Sequence, residues 1–112
     1  MAKNYVQAGN TIAIHNTTQH VIKSGQLVFV GKIATVALTD IAIKSVGDGI
    51  TEGVFLLNKK TGITLKAGSV ALIKNNEVVD AEGMPAGMVW QDVEVSDSTI
   101  AVKLNVGIPK HE

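Results

Sequence analysis

From Thr99 to Val106 the chain alternates without a break, with Ile100, Val102, Leu104 and Val106 falling between Thr99, Ala101, Lys103 and Asn105. A period of two turns one set of side chains toward a core and the other toward water, so this stretch reads as a half-buried β-strand. The rest of the chain has the same preference. Val, Ile and Thr make up 35 of the 112 residues and Leu only seven, and side chains that are stiff at the first torsion suit a pleated surface better than a helix. Similar alternation or short apolar runs mark Thr11–Ile14, Gln26–Val30, Ala34–Leu38, Ile41–Lys44, Gly53–Leu57, Ser69–Ile73 and Gly87–Val95. Turn residues fall between them. Gly47-Asp48-Gly49 reads as a tight hairpin, Asn58–Gly62 as a longer one, Lys74–Glu77 as another and Ser96-Asp97-Ser98 as the last. Asp80–Pro85 has room for one helical turn at most, because Gly83 and Pro85 interrupt it. The expectation is an all-β fold, a small single-domain β-barrel or sandwich of about seven to nine short, mostly antiparallel strands.

The first ten residues, MAKNYVQAGN, break this pattern. They have one aromatic, Tyr5, and little apolar company for it, so a core built by the segment itself is not its expected destination. An isolated ring among amides suits a segment that orders against a partner, with the ring as anchor. Residues 1–10 are therefore expected to form a flexible N-terminal arm, 11–108 the β domain and 109–112 a short tail. Lys3, Asn4, Tyr5, Val6 and Gln7 are the candidate contact residues. Trp90, the single tryptophan, is expected in the core or at a barrel end, with an interface anchor as the alternative.

Charge and composition narrow the partners. Ten basic residues balance ten acidic ones, which removes the long-range field that draws proteins to phosphate backbones, so no nucleic acid partner is expected. The absence of cysteine excludes disulfides and thiolate metal sites and fits a reducing compartment. The N-terminus lacks the layout of a secretion signal, and no apolar stretch approaches the roughly 18 residues of a spanning helix, so no membrane association is expected either.

Candidate chemistry is sparse. Gly25–Lys32 has the glycines and lysine of a phosphate-binding loop, but five residues separate the glycines where four are needed, and Ile33 stands where a Ser or Thr would hold magnesium. The intervening residues read as a strand. Lys60-Thr61-Gly62 matches one element of penicillin-recognising enzymes without the accompanying nucleophile motif, and a turn explains it better. His15, His20 and His111 lack the acidic company of a metal shell. Asp92 and Glu94 are expected on one strand face as solvated groups rather than an acid–base pair. No catalytic residue, metal, cofactor or small-molecule ligand is expected.

Several blocks, in order, carry a resemblance: Met1–Gly9, Ser24–Gly31, Val36–Asp40, Thr51–Lys59, Gly87–Trp90 and Ser98–Leu104. Together they resemble the tailed-phage and prophage capsid cement family, once catalogued only as a domain of unknown function, over nearly the whole chain. One departure is Leu72-Ile73-Lys74, where members often have an aromatic pair with an acidic residue, so a contact at that place is not carried over. The resemblance implies a non-enzymatic decoration protein on the outside of an assembled icosahedral shell, stabilising contacts between subunits of the major capsid protein. It further implies a homo-oligomer, with a trimer favoured, made in the bacterial host cytoplasm and located on the virion capsid surface.

A different class of reading is a small-barrel binding or carrier module. A biotinyl- or lipoyl-like carrier presents a modifiable lysine at a hairpin tip, and Lys59 or Lys60 stands at such a place, although Asn58 and Thr61 are not the usual neighbours. A carbohydrate-binding module needs several aromatics for stacking, and the chain has four in all.

Overall fold

The computed structural model describes Asn4 and residues 7–107. Among these, nine strands and no helix form: β1 (Thr11–His15), β2 (Leu27–Val30), β3 (Ile33–Ala37), β4 (Val46–Ile50), β5 (Val54–Asn58), β6 (Val70–Lys74), β7 (Glu77–Val79), β8 (Met84–Val89) and β9 (Thr99–Leu104). They make two antiparallel sheets, one of order β1-β4-β3-β2 and one of order β5-β9-β8-β6-β7. In the second sheet, Lys59 bridges Val78 and the Lys60 N–H donates to the Val78 carbonyl at 2.9 Å, bringing β7 back to the end of β5. That sheet therefore curls toward closure, and the all-β expectation holds.

The main core lies between the sheets. Leu27, Ala34 and Val36 of the first face Leu57, Ile73, Val89, Ile100, Val102 and Leu104 of the second, large side chains whose burial is worth about 1.5–3 kcal/mol each. A second cluster, Ile14, Ile22, Ala37 and Ile41, packs with Val28 and Val30 on the other face of the four-stranded sheet. The loops carrying Ile22 and Ile41 are joined by a bridge between those two residues.

Several local expectations are corrected. Gly47-Asp48-Gly49 is not a hairpin turn but the middle of β4, paired with β1 from His15↔Val46 to Thr11↔Ile50. The glycines serve close packing instead. A Cβ at Gly47 would lie 2.5 Å from Ile41 Cγ1, and one at Gly49 would lie 2.6 Å from Thr35 Oγ1 and 2.7 Å from Ile14 Cδ1. Ile41–Lys44 is not a strand, since Ile41 folds onto the second core and Lys44 takes a φ of 64°.

The Gly87–Val95 run ends as strand at Val89, and Val93 makes only a single bridge to Leu65. In place of a helical turn at Asp80–Pro85, β8 begins at Met84. Pro85 sits opposite Leu72, where the ladder to β6 shifts register, an irregularity that accommodates a residue without an N–H. The Lys74–Glu77 turn forms as expected, with Asn75 and Asn76 both at positive φ (54° and 62°) in the manner of a tight two-residue hairpin. Its second strand, β7, is three residues long and too short for periodicity to reveal.

Candidate interaction surface

Gly9 and Asn10, just ahead of β1, are held by the buried Thr51 and through it by the half-buried Asn105. Thr51, on the link between β4 and β5, donates its hydroxyl to the Gly9 carbonyl at 2.7 Å and its N–H to the Asn10 carbonyl at 3.0 Å. Thr51 is itself held, because Asn105 Nδ2 donates to its carbonyl at 2.8 Å. The same Nδ2 donates to the Ala34 carbonyl at 2.7 Å, and Asn105 Oδ1 accepts the Ala34 N–H at 2.9 Å. Asn105 follows β9 at a φ of 60°, a left-handed conformation that asparagine tolerates better than most side chains. The segment ahead of β1 is thus tied at Gly9 and Asn10 to both sheets.

Of the arm candidates, Asn4 is exposed in a turn and Gln7 is exposed at the edge of the domain. Lys3, Tyr5 and Val6 lie outside the described residues, as do the expected flexibility of the arm, the boundary at residue 108 and the tail at 109–112. Gln7 lines a groove of about 820 Å³ shared with Ile12, Ile33, Glu52, Lys103 and Val106.

Trp90 is not in the core. It is 51% exposed, just past the end of β8, with its N–H donated to the Ala101 carbonyl at 2.9 Å. Lys103 Nζ lies 5.2 Å from the ring centroid, within the range of a cation–π contact. The register explains the neighbourhood. Val54 and Met88 flank Lys103, and Leu56 stands opposite Ala101, so these side chains share the outer face of the five-stranded sheet. Leu56 is 71% exposed and Val54 is also exposed. An outward sheet face is ordinarily polar, and here Val54, Leu56 and Trp90 form an exposed apolar patch around Lys103, with the polar Asn58 and Thr99 beyond it on the same face. Sequence reasoning missed Val54 and Leu56, because Gly53–Leu57 is an unbroken apolar run that hides which face each residue takes.

Other candidates have structural duties. Lys59 is only 4% exposed and donates from Nζ to the carbonyls of Ile63 (2.7 Å) and Lys60 (3.2 Å). The expected hairpin at Asn58–Gly62 does not form, since β5 pairs with β9 and Lys59 is drawn inside. This removes one of the two lysines on which a carrier module would depend and leaves Lys60 exposed.

Asp92 Oδ1 accepts the Ala67 N–H at 2.7 Å, and its Oδ2 faces Lys66 at 3.8 Å on the surface. Asp92 and Glu94 do not lie in a strand, since β8 ends at Val89 and only Val93 between them is bridged, and both are exposed. His15 and His20 are both exposed. Asn16, buried to 1%, donates to the carbonyls of His20 (2.9 Å) and Ile41 (3.0 Å) and accepts the Thr18 hydroxyl at 2.6 Å, which closes the loop over the second core.

The family model for phage cement proteins matches residues 6–104, spanning both sheets. The chain belongs to the phage cement protein family. No curated protein and no solved structure matches it. Cement proteins are structural components of the virion capsid, and the groups described above are disposed as one would build such a component. Buried Asn16, Thr51 and Lys59 hold loops in place, and three of the exposed apolar side chains, Val54, Leu56 and Trp90, share one sheet face.

Proposed function

We propose that this cement protein binds the outer surface of the assembled capsid and stabilises contacts between major capsid subunits after synthesis in the host cytoplasm. The observation that carries this reading is the family match over residues 6–104. The arm supplies the reach. Lys3, Asn4, Tyr5, Val6 and Gln7 are the proposed contact residues, and the chain that follows them is fixed at Gly9 and Asn10 by Thr51, itself held by Asn105, so force applied at the arm would pass into the domain's hydrogen-bonded frame. Many copies acting together add linkage that a single weak contact could not. In solution the protein is a homo-oligomer, with a trimer favoured by family analogy.

The test uses capsids of the encoding phage from a strain with this gene deleted. Adding purified protein should give saturable binding in sedimentation and raise the temperature at which the shells rupture. Binding without any gain in shell stability overturns the cement role, and a strict monomer by light scattering, free and capsid-bound, overturns the oligomer.

A further inference from the structure

β1 lies at one edge of the four-stranded sheet. At its two ends the Thr51 N–H donates to the Asn10 carbonyl at 3.0 Å and the Asn16 N–H donates to the Ser45 carbonyl at 2.9 Å, so the even-numbered residues turn their peptide groups toward β4 and its continuation. Thr11, Ala13 and His15 therefore turn theirs away from the sheet. Among the described residues none of these N–H and carbonyl groups has a backbone partner, and Ala13 and His15 are exposed. Thr11–His15 has no lysine, no proline and no break in its register with β4, the devices that commonly blunt an edge. The opposite edge is not open in this way. Leu27 of β2 shares a depression of about 120 Å³ with Leu56, Leu57 and Asn58 of β5, so there the two sheets lie side by side.

We propose that β1 pairs with β1 of a second copy of this chain, antiparallel about a two-fold axis at Ala13, and so joins two four-stranded sheets into one. The inference rests on the homo-oligomer reading above and gives it a two-fold contact in place of the three-fold one that family analogy favours.

The self-complementarity of the strand identifies the occupant. With the axis at Ala13, each Ala13 meets its own equivalent, Thr11 meets His15 and Ile12 meets Ile14. In that register every outward N–H and carbonyl of the strand finds a partner, and no charged side chain stands opposite a like charge. The alanine at the axis lets the strands approach. Ile12 is half-buried and shares its sheet face with Ile14 of the second core, so pairing covers each Ile12 with the other copy's Ile14 and extends both second cores. An unrelated extended segment would satisfy the peptide groups, but it would not account for the match between the two halves of β1.

The experiment compares the full-length native chain with Ala13→Lys and Ala13→Pro by sedimentation velocity and amide hydrogen exchange. The native chain is expected to form a concentration-dependent dimer in which the Thr11, Ala13 and His15 amides exchange slowly. Ala13→Lys sets two like charges against each other at the axis, and Ala13→Pro removes an N–H that β4 does not use. Each should weaken association by about tenfold or more and release those amides, with the β fold retained by circular dichroism. Ala13→Lys leaves the backbone unchanged and decides the matter if the proline variant does not fold. A trimer, or any native oligomer that Ala13→Lys leaves intact, overturns the proposal and leaves the homo-oligomer reading standing. Rapid exchange of the three amides within the native oligomer overturns it in the same way. A strict monomer at every concentration overturns both.

Discussion

Asn105 holds Ala34 by both of its peptide groups, donating to the carbonyl at 2.7 Å and accepting the N–H at 2.9 Å. Ala34 is fully buried in β3 and Asn105 follows β9, so a single amide joins one sheet to the end of the other and, through Thr51, to the start of the arm.

Replacing this amide should therefore be costly. Asn105→Ala leaves buried peptide groups of Ala34 without partners, at about 1–3 kcal/mol for each group, and places alanine at a φ of 60°. The expected loss is about 2–4 kcal/mol, or a fall in melting temperature of roughly 10–25 °C for a domain of this size. Asn105→Gly, which relieves the backbone while losing the same bonds, should recover about 1 kcal/mol of it. Urea denaturation of the two variants separates the contributions, and near-native stability in both would show that the bridge contributes little.

The arm can be cut at two places with different results. Deleting residues 2–7 leaves Gly9 and Asn10 on Thr51 and should alter the melting temperature by less than about 2 °C. Capsid binding should drop sharply, with Tyr5→Ala accounting for about 2 kcal/mol, or thirtyfold. Deleting residues 2–10 also strips the Thr51 hydroxyl and N–H of their partners and should lower the melting temperature by several degrees. If the shorter deletion lowers it as much as the longer, the leader is an integral edge strand with Tyr5 packed inside, and the docking account fails.

Glycine substitutions should sort by what surrounds them. At Gly62 a Cβ meets nothing within 4 Å, although φ is 87°, so Gly62→Ala should cost about 1 kcal/mol from backbone strain alone. Gly49→Ala drives a methyl into Thr35 and Ile14, for about 1–3 kcal/mol. At Gly87 the new Cβ would collide with the Lys103 carbonyl on the neighbouring strand, backbone that cannot rotate away, and this variant should give no soluble folded protein. Thermal melts of the three in parallel check the order.

Amine labelling should distinguish two adjacent lysines. Lys59 Nζ is enclosed and bonded to two carbonyls, and Lys60 is exposed. Under brief acetylation of the folded protein, peptide mass spectrometry should find Lys60 modified and Lys59 protected until denaturant is added. Equal labelling of both would place Lys59 at the surface.

Much of the fold was legible because strand formation is a local property. The alternation at Thr99–Leu104 and the paired asparagines at 75 and 76 depend on neighbours within a few positions, and both stand where the residues indicate. The exposed apolar face was not legible in the same way. Trp90 invites a core assignment by its size, and Leu56 hides within an apolar run, so their exposure follows from which strands flank β9.

What the sequence determined by itself is therefore the class of structure, an all-β domain with a polar leader, since propensity, alternation and turn chemistry act over short stretches of chain. What only the tertiary structure decided is how distant parts meet. Examples are the contact of Asn105 with Ala34 across 71 positions, the place of Gly47 and Gly49 beneath Ile41, Ile14 and Thr35, and the inward turn of Lys59. Packing of side chains from remote strands, and the need to satisfy every buried peptide group, select among arrangements that local preference leaves equal.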